Sequence, residues 1–178
     1  FAALLSASKW TDAGATKVET LPAACAIPLL PRLLGPAARA FAAAPTWDAS
    51  PCETAAFERQ ASQPLVRALS QKHGSGLLTR LTARLVELAA LPQFMRCVLS
   101  GARRPSAWSY DVSSAAGDAG TAEIDTARGR LIHAARTRNG RIEDYAILAP
   151  TEWNFHPQGV AARALHVIAV VPWLGGVA

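Results

Sequence analysis

The stretch GRLIHAARTRNGRIEDYAILAP, residues 129–150, has Asn139-Gly140 at its centre, with two runs of similar length on either side. Asn-Gly is the dipeptide that best tolerates the positive backbone angles required at both central positions of a two-residue hairpin turn. The stretch therefore predicts a β-hairpin over residues 129–149. Ile142, Tyr145, Ile147 and Leu148 give its second strand β-favouring side chains, and Pro150 ends that strand by withholding a backbone donor.

Upstream of the hairpin the pattern is helical. Residues 115–120 are Ala, Gly and Asp and read as a loop or linker. Before that loop, Leu77, Leu78, Leu81, Leu85, Leu88 and Ala89 recur at three- and four-residue steps while Arg80, Arg84 and Glu87 fall elsewhere, which predicts an amphipathic helix packed on the core. Pro92 is expected to break it, with a further short helix around Phe94, Met95 and Val98. Ser62 and Gln63 precede Pro64 and a helix running to about His73, ended by Gly74-Ser75-Gly76. From Phe1 to about Pro45 the chain is rich in Ala, Leu and Pro, leaving room only for short helices or extended pieces. The expected organisation is an N-terminal segment, 1–45, and a domain, 46–178. The fold class is α+β, mainly helical, with the hairpin packed against the Leu-rich helix.

Composition narrows the function classes. With about half its residues apolar and 17% charged, the chain is globular and not a solvated disordered segment. The net charge of +5 comes from cations spread along the chain, without the clustered Lys and Arg of a phosphate-binding face, so no nucleic-acid partner is expected. Residues 21–44 are apolar but contain Pro22, Pro28, Pro31, Pro36, Arg32 and Arg39, which argue against a membrane span. Three widely spaced cysteines signal neither a disulfide framework nor a zinc site, and point to a reducing, cytoplasmic setting. A chain beginning at Phe1 is expected to be a fragment of a longer protein.

A search for self-contained catalytic sets finds none. The four histidines lie far apart and none stands at ligand spacing from another His, Cys or Glu. There is no phosphate-cradling loop and no nucleophile elbow, so no catalytic or metal-ligating residue is assigned. Cys52 is the nearest to a candidate ligand, against the plainer reading of a buried thiol.

Two segments carry a resemblance. Glu123-Ile124-Asp125-Thr126-Ala127-Arg128-Gly129, the hairpin, and then Pro150-Thr151-Glu152-Trp153-Asn154 resemble the C-terminal half of the nickel-iron hydrogenase large subunit, whose pattern is acid-x-Pro-Arg-Gly, a hairpin, and Pro-Thr/Ser-x-Trp-Asn. Glu53-Thr54-Ala55-Ala56-Phe57-Glu58-Arg59 resembles that family's Glu-Thr-Gly-x-Leu-Ala-Arg segment, and the matches together span about residues 45–166. The resemblance implies a partial large-subunit-like fold and assigns Arg128, Gly129, Pro150 and Thr151 to the surroundings of an iron carrying cyanide and carbonyl ligands. A guanidinium suits such ligands because it is permanently charged and offers several donors in a fixed fork. Glu53, Arg59, Trp153 and Asn154 are implied as structural motif residues, Trp153 and Asn154 either locking the turn or simply packing.

The departures from the pattern decide what the resemblance implies. Neither of the two Cys-x-x-Cys pairs that supply thiolates to nickel and iron is present, Ala127 stands where the family has Pro, and Ala55 where it has Gly. The combination is similar to the accessory subfamily HupK/HoxV. That similarity implies a maturation scaffold, not an enzyme, which transiently holds an iron-cyanide-carbonyl unit without nickel. The implied partners are maturation chaperones and the large-subunit precursor. Two other readings stay open: a fragment of a catalytic large subunit, and a non-metal structural or interaction relative. Exposed apolar surface is expected to make residues 1–178 aggregation-prone alone.

Overall fold

The computed structural model of the chain describes residues 11–23, 25–102, 110–114 and 118–170. In chain order the elements are β1 (Glu19–Thr20), α1 (Ala26–Leu33), α2 (Ala38–Ala43), β2 (Cys52–Glu53), α3 (Ala56–Gln60), α4 (Pro64–His73) and α5 (Leu77–Leu99). They are followed by β3 (Tyr110–Ser114), β4 (Ala119–Thr126), β5 (Gly129–Arg138), β6 (Arg141–Leu148), α6 (Pro150–Asn154) and α7 (Val160–Val170).

Asn139 and Gly140 take φ of 51° and 73°, and Arg138 pairs with Arg141, so the two-residue turn forms where the sequence calls for it. The hairpin is half of a larger unit, a four-stranded antiparallel sheet of order β3-β4-β5-β6. Residues 119–120, read as part of a loop, begin β4, because Ala119 and Gly120 pair with Arg136 and Ala135. A second two-residue turn, Ala127-Arg128, joins β4 to β5 through the Thr126–Gly129 pair.

Strand alternation sends Thr121, Glu123 and Asp125 of β4, Arg130, Ile132 and Ala134 of β5, and Ala146 and Leu148 of β6 to one face. That face is covered by α1 and α2, and Leu21, Leu29, Leu30, Leu33 and Phe41 share one core with Ile132, Ala134, Leu148 and Trp153. Each such aliphatic side chain contributes roughly 1.5–3 kcal/mol on burial. The Ala/Leu/Pro-rich segment therefore supplies half of the main core. Pro28 falls in the first turn of α1, where no backbone N–H needs an intrahelical partner, whereas Pro31 lies inside the helix and withholds one such bond.

The hairpin does not pack on the Leu-rich helix. That helix, α5, packs instead on α3 and α4, around Ala56, Val66 and Ala83. It also runs unbroken through Pro92, as one helix of 23 residues. Its buried residues are Leu78, Thr79, Thr82 and Ala83, so Leu78 alone of the leucine stripe is buried. Leu85, Leu88, Met95 and Leu99 are 52%, 60%, 60% and 85% exposed. Leucine at three- and four-residue steps marks an apolar face, but α5 has apolar residues on more than one side, so the spacing alone does not select the buried one.

That exposed row gives a prediction for residues 1–178 in isolation. The polypeptide should self-associate with rising concentration and bind a hydrophobic dye, and Leu88→Glu with Leu99→Glu should reduce both. Sedimentation velocity on the two forms is the check, and a monodisperse wild-type monomer with no dye binding would count against it.

Candidate functional site

Thr54, Arg128, Gly129, Pro150 and Asn154 come together where β2, the β4–β5 turn and α6 meet. The Asn154 carboxamide accepts from Thr54 N at 3.0 Å and donates to Thr54 O at 2.8 Å and to Arg128 O at 3.2 Å. A backbone pair one hundred residues upstream and the tip of a hairpin are thus held by one side chain. Gly129 sits in the closest contact. Its φ is +130°, and a Cβ there would overlap the Thr54 carbonyl oxygen and stand 2.9 Å from Pro150 Cβ. Only glycine fits, for conformation and for space.

The turn is tightened from within. Thr126 Oγ1 donates to Gly129 O at 2.7 Å and accepts from Arg128 N at 3.2 Å. The Arg128 side chain is exposed, and no hydrogen bond or ion pair of its guanidinium occurs among the described residues. Pro150 is buried as the first residue of α6, not as a strand terminator alone, and the exposed Thr151 lies in that helix's first turn with its hydroxyl 3.4 Å from Glu152 Oε2. The structure thus brings Arg128, Gly129 and Pro150 together at backbone level, with Thr151 the next residue along α6.

The structural residues read from the sequence are each accounted for. Glu53, 2% exposed, takes both Arg80 Nε at 3.2 Å and Arg80 Nη2 at 2.7 Å. Arg59 forks onto Glu87 at 2.6 and 3.0 Å. Trp153 is fully buried in the main core, so it packs, and Asn154 is the residue that locks.

Arg130 escaped sequence reading. It is 5% exposed on the inner face of β5, with Nη2 on Glu58 Oε1 at 2.6 Å, Nε 3.5 Å from Asp125 Oδ1, and Nη1 donating to Pro22 O. Its backbone N–H donates to Thr54 Oγ1 at 3.0 Å, and that hydroxyl donates to Glu58 Oε2 at 3.1 Å. Strand alternation with Ile132 and Ala134 was the available signal, because it places Arg130 on the core face. A buried arginine needs such paired carboxylates.

Burial pushes the Glu58 carboxyl above its ordinary value, against the pull of Arg130 and the Thr54 hydroxyl. Burial likewise pushes the Cys25 thiol up to about 11, with Glu123 adding to the effect and Arg130 opposing it. Cys52 is pushed up to about 11 as well, by burial first. Both are neutral thiols near pH 7, packed in the main core, and neither is an available thiolate. No group of three or more His, Cys, Asp or Glu able to hold a metal ion occurs among the described residues.

Two outcomes follow. Gly129→Ala should destabilise the chain by at least about 2 kcal/mol, combining the positive-φ cost with a backbone clash, and urea unfolding reads it. The second concerns pH. With its folded value raised, Glu58 holds more protons in the folded chain than in the unfolded one. Stability should therefore fall as pH rises from the ordinary glutamate value through the folded one. Glu58→Gln should flatten that slope in unfolding free energies measured from pH 4 to 7.

No protein-family model matches the chain. It is 32% identical over 146 residues to the hydrogenase expression/formation protein HupK of Bradyrhizobium diazoefficiens, a match covering 82% of this chain and 38% of that protein. It is 35% identical over 133 residues to HupK of Rhizobium leguminosarum bv. viciae, covering 70% and 32% respectively. With the hydrogenase expression/formation protein HoxV of Cupriavidus necator the identity is 36% over 135 residues, covering 72% of this chain and 33% of the relative. Over most of its length the chain is thus similar to proteins named for hydrogenase expression and formation, and its match spans about a third of each.

Proposed function

We propose that the chain serves hydrogenase maturation as a scaffold whose cargo is the iron-cyanide-carbonyl unit of a nickel-iron hydrogenase. The similarity to HupK and HoxV supports the maturation role. The observation that carries the cargo reading is Arg128: a guanidinium with no partner among the described residues, on a two-residue turn whose backbone is fixed by Asn154, beside Pro150. Cyanide nitrogens are anionic acceptors, and a forked, permanently charged donor group on a rigid turn suits them. Thr151, in the first turn of α6, adds a hydroxyl donor from the same region.

The donor set fits holding the unit by its diatomic ligands and not by a thiolate cage, since the described cysteines nearest the core are protonated and buried. Hydrogen bonds of this kind release their cargo more readily than covalent metal-thiolate bonds. We read the fold as a partial relative of the nickel-iron large subunit, and the recipients as that subunit's precursor and the maturation chaperones, in the cytoplasm. Among the described residues no helix is long and apolar enough to cross a membrane.

The test is anaerobic co-expression of the full-length protein with the maturation machinery, followed by infrared spectroscopy of the purified product. Cyanide and carbonyl stretches should accompany the wild type. Arg128→Ala should reduce them about tenfold or more, the loss of a charge-assisted hydrogen bond, and Thr151→Ala by less. Folded wild-type protein without these bands overturns the cargo reading.

A further inference from the structure

On α5, Leu81, Leu85, Leu88, Pro92, Met95 and Leu99 follow one another at alternating steps of four and three residues. That alternation is the a/d pattern of a coiled-coil seam, a stripe just wide enough for one facing helix. The seam runs about 27 Å at the helical rise of 1.5 Å per residue. From Leu85 onward every one of its positions is exposed. The buried residues of α5 all lie in its first two turns, Leu78 to Ala83, where α3 and α4 pack on it.

The spacing calls for a helix, and the residues beside the seam fit a second copy of this one. With two α5 helices antiparallel, Leu81 of one copy meets Leu99 of the other, Leu85 meets Met95, and Leu88 meets Pro92, so every apolar side chain faces another. Beside the seam, Arg84 then faces Val98 of the other copy. Arg96, whose guanidinium donates to Gln93 Oε1 at 3.2 and 3.0 Å, faces Thr82. No arginine opposes an arginine in this register, and Glu87 stays with Arg59. A parallel pair would crowd both α3–α4 layers at one end. The antiparallel pair lays the packed half of each α5 beside the half of the other that runs past that core.

The area suffices for a weak but specific pair. The four exposed seam residues Leu85, Leu88, Met95 and Leu99, with Pro92 and the stems of Arg84 and Arg96, leave on the order of 500 Å² bare per copy, so a pair covers on the order of 1,000 Å², where specific interfaces begin. We propose that the chain forms a two-fold dimer by antiparallel pairing of α5 along this seam. Such a contact is closed, because each seam is used up by the other, and it stops at two copies. The pairing does not rest on the cargo reading.

The test uses disulfide trapping in a Cys97→Ser background, where the remaining cysteines are buried. Chains carrying Leu85→Cys and chains carrying Met95→Cys are mixed and oxidised, and the products are told apart by intact mass. In the antiparallel register Leu85 lies against Met95 of the other copy but about 15 Å along the axis from the other Leu85. That separation is too long for a disulfide, so the mixed product should exceed each like-with-like product by about tenfold or more. Sedimentation equilibrium of the unmodified chain should fit monomer and dimer alone, in the micromolar range. Leu85→Glu should abolish the dimer in a chain whose circular dichroism is unchanged. The proposal is overturned by like-with-like disulfides in equal yield, by species larger than a dimer, or by a monomer at every concentration, which would assign the seam to a helix of another chain.

Discussion

One carboxamide, that of Asn154, satisfies the backbone N–H and C=O of Thr54 and the carbonyl of Arg128. The contacts are made to main chain, so they fix where three distant segments run whatever side chains those segments carry. β2, the β4–β5 turn and α6 would otherwise meet with unpaired polar backbone, a state that buried structure rarely tolerates. Gly129 makes the approach close enough for the pinch to form, and Trp153, the residue before Asn154, anchors α6 in the main core.

Around this pinch the chain places its charges in buried or half-buried pairs. Glu53 with Arg80, Arg59 with Glu87, and Arg130 with Glu58 and Asp125 connect β2, α3 and α5 to the sheet. Such pairs give little net stability, since desolvation offsets much of the attraction. Removing one partner leaves a stranded charge, which costs about 3–5 kcal/mol. Their effect is to penalise every misaligned packing of α3 and α5 on the sheet. Glu123 acts at the other side of the core, where it accepts the backbone N–H of Ala26 at 3.0 Å and holds the start of α1.

The hairpin turn, the helix from Pro64 and the importance of the 123–129 and 150–154 segments were legible because each rests on local chemistry: a dipeptide that prefers positive φ, a proline at a first turn, short ordered motifs. What the sequence hid was pairing at a distance. Nothing local says that α1 and not α5 covers Ile132 and Leu148, since both helices offer leucines. Pro92 looked like a terminator, yet α5 continues through it, past the core it packs on. The role of Asn154 was half visible, as a residue that locks something, but its partners at 54 and 128 follow only from the assembled fold. Arg130 was overlooked beside Arg128, although alternation with Ile132 and Ala134 puts it on the core face of β5, whereas Arg128 lies in the turn before that strand.

The Ala127-Arg128 turn is braced through main-chain atoms and by Thr126, and the arginine side chain makes no hydrogen bond among the described residues. Architecture and chemistry are thereby uncoupled at this point. The residue at position 128 is free to change across related chains at little cost to folding, so the persistence of arginine there would record selection for what it touches, while asparagine at 154 and glycine at 129 would persist for the scaffold alone.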